Sequence, residues 1–142
     1  MSAKFQVTFD AHDPRAQAEF WAAALGYIPQ PPPDTYDSWE DWARAMEIPE
    51  ERWNDAGALV DPDGVGPRVF FQRVPEGKTA KNRVHLDVSV GRGLEPEARR
   101  SALEVEADRL HAAGATIVRQ QEQRGEFWIV MQDPEGNEFC VH

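Results

Sequence analysis

The sequence predicts an α+β fold that lays out one plan twice. Three observations predict it. Each half opens on an alternating strand: Phe5, Val7 and Phe9 alternate with Gln6, Thr8 and Asp10, and Val84, Leu86, Val88 and Val90 alternate with His85, Asp87 and Ser89. Each strand is followed by a helical stretch closed by glycine, at Gly26 and at Gly114. Before the last strand of each half stands the same four-residue turn pattern, Asp61-Pro62-Asp63-Gly64 and Asp133-Pro134-Glu135-Gly136. A repeat of this length means two structural copies within one domain.

The elements follow in order. Asp13-Pro14 starts the first helix, because aspartate caps free backbone N–H groups and proline suits a first turn that needs no donor. Ala16, Phe20, Trp21, Ala24 and Leu25 give it an apolar side. The four prolines between Pro29 and Pro33 end regular structure. The spacing of Trp39, Trp42 and Met46 predicts a short helix near 37–46. Strands are expected at 58–60 and 68–74. In the second half the helix is expected at 96–113, with Ala98, Ala102, Val105 and Ala112 on one side and Leu103, Ala107 and Leu110 beside them. Three strands follow, at Ile117-Val118, Phe127 to Met131 and Glu138 to Val141.

Composition narrows the function. The 142 residues hold 15 Lys+Arg against 25 Asp+Glu, a net charge of −10. Nucleic acid and anionic membrane both need a basic face, so neither is expected as a partner. No stretch approaches the roughly 18 apolar residues of a membrane span. The N-terminal sequence lacks the apolar core of a secretion signal. One cysteine, Cys140, excludes an internal disulfide framework and fits the reducing cytoplasm.

The residues Phe5-Gln6-Val7-Thr8, Asp13-Pro14, Phe20-Trp21 with Leu25-Gly26-Tyr27, Val84-His85-Leu86-Asp87-Val88 and Asp133-Pro134-Glu135-Gly136-Asn137-Glu138-Phe139-Cys140 resemble the vicinal oxygen chelate superfamily. That is the fold of glyoxalase I and the bleomycin-resistance proteins, and the likeness is to its glyoxalase-like branch. It covers nearly the whole chain apart from a Trp-rich insertion at 34–55. The resemblance implies one domain over 1–142 made of two βαβββ modules, about 1–75 and 83–142, whose curved mixed sheets enclose a cleft. It implies a homodimer, a small organic ligand, and lyase- or isomerase-type chemistry or ligand sequestration. It also implies a divalent metal (Zn, Ni, Mn or Fe) held by the first and last strands of each module. Carried over position by position, those ligands fall on Gln6, near Gln72, on His85 and on Cys140. Only His85 keeps a usual ligand type.

Strand parity then gives a candidate cleft floor. If Phe5, Val7 and Phe9 face the helix, Gln6 and Thr8 face away, and the same logic applies to Phe70 and Gln72, to His85 and Asp87, and to Cys140. Zinc and iron prefer anionic or imidazole ligands, and neutral amide oxygens serve them poorly. Cys140 as thiolate with His85, and with His142, makes a zinc site; the alternative is a small buried apolar side chain. His85 is the candidate catalytic residue, because histidine exchanges protons near neutral pH, and Asp87 is placed to orient a partner. The alternative is a histidine hydrogen-bonded within a polar sheet face. Asn82-Arg83 offers an anion contact at the rim or a solvated loop. Trp39, Trp42 and Trp128 are candidate walls for an organic ligand. Trp39 and Trp42 lie in the insertion, which either covers the cleft or packs a small core of its own. Paired carboxylates at Asp61/Asp63 and Asp133/Glu135 read as turns.

Overall fold

A computed structural model describes residues 1–142. The chain divides into two compact units, Met1–Ala22 with Gly26–Gly77, and Lys78–His142 with Ala23–Leu25.

In the N-terminal unit, β1 (Val7–Ala11) leads into α1 (Pro14–Leu25). Both helix ends are built as the sequence requires. The Asp13 carboxylate accepts from the Ala16 backbone N–H at 3.2 Å. At the other end Gly26 sits at φ 68°, a left-handed conformation that a Cβ disfavours, and its N–H returns to the Ala22 carbonyl. Then come β2 (Ile28–Pro29), α2 (Trp39–Ala45), a single 3-10 turn at Glu50–Arg52, β3 (Ala56–Val60) and β4 (Val69–Arg73). The sheet order is β1-β4-β3-β2, with β1 parallel to β4 and the other pairs antiparallel.

The C-terminal unit repeats this. Its elements are β5 (Asp87–Val88), α3 (Pro96–Ala112), β6 (Thr116–Gln123), β7 (Glu126–Gln132) and β8 (Glu138–Val141). The order is β5-β8-β7-β6, again with first and last strands parallel. Two mixed four-stranded sheets, each built strand–helix–three strands, are the predicted α+β plan. The repeated turns also match. Asp61 accepts from the N–H groups of Asp63, Val65 and Gly66 at 2.7–3.1 Å, and Asp133 from those of Glu135 and Asn137 at 2.9–3.0 Å. These aspartates hold turns.

Each core lies on the helix side of its sheet. Phe9 packs tilted against Trp21 and stacks on Phe71 at ring-centroid distances of 5.0 and 5.3 Å, and Trp21 and Phe71 are fully buried. In the second unit, Leu103, Ala107 and Leu110 are buried on α3, which packs against β7, where Phe127, Ile129 and Met131 alternate inward.

Several expectations are corrected. Pro29 does not end regular structure: Ile28–Pro29 pairs with Val60 and Leu59 at a sheet edge, where proline's missing donor costs nothing. Regular β5 is confined to Asp87–Val88, and Val84 is 83% exposed. Phe5, at the equivalent place before β1, is 73% exposed. In both cases the alternation begins before the pairing does. On α3 the stripe of Leu103 is the buried one, and Val105 is 69% exposed. Strand β6 runs on to Gln123 because antiparallel pairing with β7 carries it past its apolar start.

Leu103→Ala is therefore expected to destabilise the protein by about 2–5 kcal/mol, whereas Val105→Ala should change stability by less than about 0.5 kcal/mol. Urea unfolding of the two variants measures this, and equal losses would count against the assigned helix face.

Candidate functional site

Parallel pairing of β5 with β8 makes Asp87 the register partner of Cys140. The Cys140 N–H donates to the Leu86 carbonyl at 3.0 Å, and the His142 N–H to Val88 at 2.9 Å. His85 precedes Asp87 by one pleat and so shares its face. The His85 Nε2 lies 3.4 Å from Asp87 Oδ1. One ligand-type atom each from His85, Asp87 and Cys140 falls within 4.8 Å of the others. Cys140 is buried, while the other two are exposed. Burial pushes the Cys140 thiol pKa up, and the neighbouring Asp87 carboxylate, to which the thiol is hydrogen-bonded, pushes it further.

These side chains line a cavity of about 530 Å³ on the face of the sheet opposite α3. Trp128, Val130 and Gln132 of β7 and Val118 and Arg119 of β6 complete much of its wall. One row crosses all four strands: Asp87, Cys140, Val130 and Arg119 are successive register partners. Trp128 stands in the next row, opposite Gln121.

Glu138, one pleat before Cys140, is tied down. Its carboxylate accepts the Asn82 backbone N–H at 3.0 Å and pairs with Lys78 at 3.1 Å. The Asn82 hydrogen bond first, and the lysine after it, hold its pKa down at about 2. Asn82, read from sequence as a possible rim contact for an anion, takes the chain's own Glu138 instead.

The other predicted residues belong to the N-terminal unit. Gln6 Oε1 accepts from Arg68 Nη1 at 3.0 Å, and Gln6 Nε2 donates to the Thr8 hydroxyl at 3.3 Å. Gln72 donates to Asp10 at 2.7 Å. The Arg68 guanidinium lies 5.1 Å from the Phe70 ring centroid. Trp39 donates to the Gln30 carbonyl at 2.7 Å and packs edge-on to Trp42 at 5.4 Å, while Trp53 donates to Ile48. These contacts hold the insertion together locally, with Trp39 left 40% exposed. His85, Asp87, Cys140 and Trp128 are thus brought together on one face of the C-terminal sheet.

Sequence reading missed Arg119, because the run Arg119–Gln123 is polar and shows no alternation. The available signal was Arg124-Gly125. Both adopt positive φ, 53° and 78°, and close a two-residue hairpin that fixes the register of β6 on β7.

Because the folded Glu138 carboxyl titrates at about 2 against an ordinary 4.5, its stabilisation is present above the ordinary value and fades as pH falls toward 2. Glu138→Gln should lose on the order of 1 kcal/mol at neutral pH. Urea midpoints of the two proteins should converge between about pH 5 and pH 2; a gap independent of pH would refute the assignment.

Comparison with known proteins comes down to one family. The sequence model of the glyoxalase-like domain matches residues 6–142. No curated protein matches the sequence. Solved structures share the fold at low identity. A glyoxalase/bleomycin resistance protein/dioxygenase family enzyme from Burkholderia phytofirmans has 18% identity and a TM-score of 0.62, with 96% of this chain and 94% of that one covered. The fosfomycin resistance protein FosX from Listeria monocytogenes has 10% identity and a TM-score of 0.64, covering 100% and 93%. The bleomycin-binding protein of Streptomyces verticillus, solved with copper(II)-bleomycin, has 17% identity and a TM-score of 0.53, covering 99% and 95%.

Proposed function

The chain belongs to the glyoxalase-like domain family of the vicinal oxygen chelate superfamily, and from that premise we propose that the cavity of its C-terminal unit takes up a small organic molecule. One observation carries this: a space of about 530 Å³ has an imidazole, a carboxylate and a thiol at one side and the Trp128 indole at another. That is the volume and mixture of surfaces that a small ligand needs. In the enzymatic form of the reading, lyase or isomerase in type, His85 touches the ligand and moves a proton, and Asp87 orients the imidazole. We place this activity in the cytoplasm and in a homodimer.

The superfamily's metal is not part of the proposal, because the donors are poorly suited to it. Gln6 and Gln72 are neutral and already hydrogen-bonded, and the oxygen of Gln6 faces the Arg68 guanidinium, which repels a cation. Asp87 is shared between His85 and the Cys140 thiol. Glyoxalase I chemistry needs a strong Lewis acid to stabilise an enediolate, so that activity is not proposed. A second reading, sequestration without turnover, is favoured by the same donor set together with the exposed part of Trp128. The bleomycin-binding neighbour is a precedent for binding by this fold.

Protein purified without chelator is expected to carry far less than one metal ion per chain, with a melting temperature unmoved by EDTA. A stoichiometric ion whose removal lowers that temperature would overturn the metal-free reading. A ligand found by screening should quench tryptophan emission, and Trp128→Phe should weaken the quenching. If the ligand is converted, His85→Gln should cut turnover by about 100-fold or more while binding persists. Recovery of the ligand unchanged selects sequestration.

A further inference from the structure

Charge is distributed unevenly among the residues that line the cavity. Its carboxylates all have partners in the chain. Asp87 faces His85 at 3.4 Å, Glu138 is bound by Lys78 and Asn82, and Glu126 lies 3.9 Å from Arg99. Its two strong cations, Arg119 and Lys81, have no carboxylate partner. Arg119 donates through Nε to the Gln121 amide oxygen at 3.2 Å, and Lys81 reaches only the Asn82 carbonyl at 3.4 Å. Both act on the Cys140 sulfur, drawing its pKa down against the larger upward push of burial and Asp87.

The Gln121 contact fixes the guanidinium by one edge and leaves the two Nη groups, the end that grips a carboxylate with two parallel hydrogen bonds. Trp128 is the register partner of Gln121, so an aromatic wall stands beside that fork. His85 and Asp87 lie at the far side of the same face, across three strand spacings or roughly 14 Å. A one-residue register shift contributes to the placement: it falls in β6 between Ile117 and Arg119. The net charge of −10 does not cancel the local cations. Charges more than about 8 Å away are largely screened at physiological ionic strength.

We infer that the ligand is an organic anion whose carboxylate docks on Arg119, with its body along Trp128 and Val130 and its other end toward His85. The inference rests on the cavity reading above and names the chemical class of its occupant.

A panel of small aromatic carboxylates, each matched with its neutral primary amide and beginning with phenylacetate and phenylacetamide, tests it by ligand-observed NMR. The parent protein should bind carboxylates over amides by about tenfold or more. Arg119→Gln should abolish that preference while leaving the melting temperature unchanged. Arg119→Lys should restore only part of it, because a point charge lacks the fork. Raising the salt concentration should weaken the carboxylates alone. Equal binding of acid and amide, or a preference that survives in Arg119→Gln, would overturn this inference and leave the cavity reading standing. Failure of every acid and every amide to bind would overturn the cavity reading, and the inference with it.

Discussion

Parallel closure governs each unit: its first strand pairs with its last, β1 with β4 and β5 with β8. Parallel neighbours cannot be joined by a tight turn, so the helix and the two middle strands must be accommodated between them. The consequence is chemical as well as topological. Asp87 and Cys140, distant in sequence, become direct neighbours. The pleat then puts His85 on their side and leaves Val88 and Val141 buried on the other. One face of the sheet is committed to the apolar core under α3, and the opposite face is free to carry polar groups.

Much of this was legible in sequence, for identifiable reasons. Asp13-Pro14 and Gly26 bound α1 because capping and the left-handed terminator are local chemistry. The two Asp-Pro-acid-Gly turns were legible for the same reason: each aspartate folds back on amides only a few residues on. Parity placed His85, Asp87 and Cys140 on one face, and the structure brings them together. What sequence could not supply was pairing. Val84 and Phe5 continue an alternating pattern beyond the point where a neighbouring strand exists to use it, so they end exposed. Val105 satisfied helical spacing, but the exact facing of α3 is set by how Leu103, Ala107 and Leu110 meet β7. Arg119 escaped notice because membership of the polar face is conferred on it by β7, across the Arg124-Gly125 hairpin.

The polar groups of the two units settle differently. In the N-terminal unit, Gln6, Thr8, Arg68, Asp10 and Gln72 form hydrogen bonds among themselves. In the C-terminal unit, Glu138 anchors the segment 78–82 through Lys78 and Asn82, and Asp87 holds both the imidazole and the thiol. A carboxylate neutralised by a cation, as Glu138 is by Lys78, organises a surface without attracting further cations, so the formal charge of the chain is a poor guide to the field inside the cavity.

Strand β6 is also the outermost strand of its sheet, eight residues with one flank unpaired. Such an edge is a template for open-ended stacking of copies into fibrils. The additional residue between Ile117 and Arg119 breaks its regularity, and Arg119 and Glu122 stud it with charge. The same irregularity that aims a guanidinium at the cavity thus also guards the molecule against amyloid-like growth along this border.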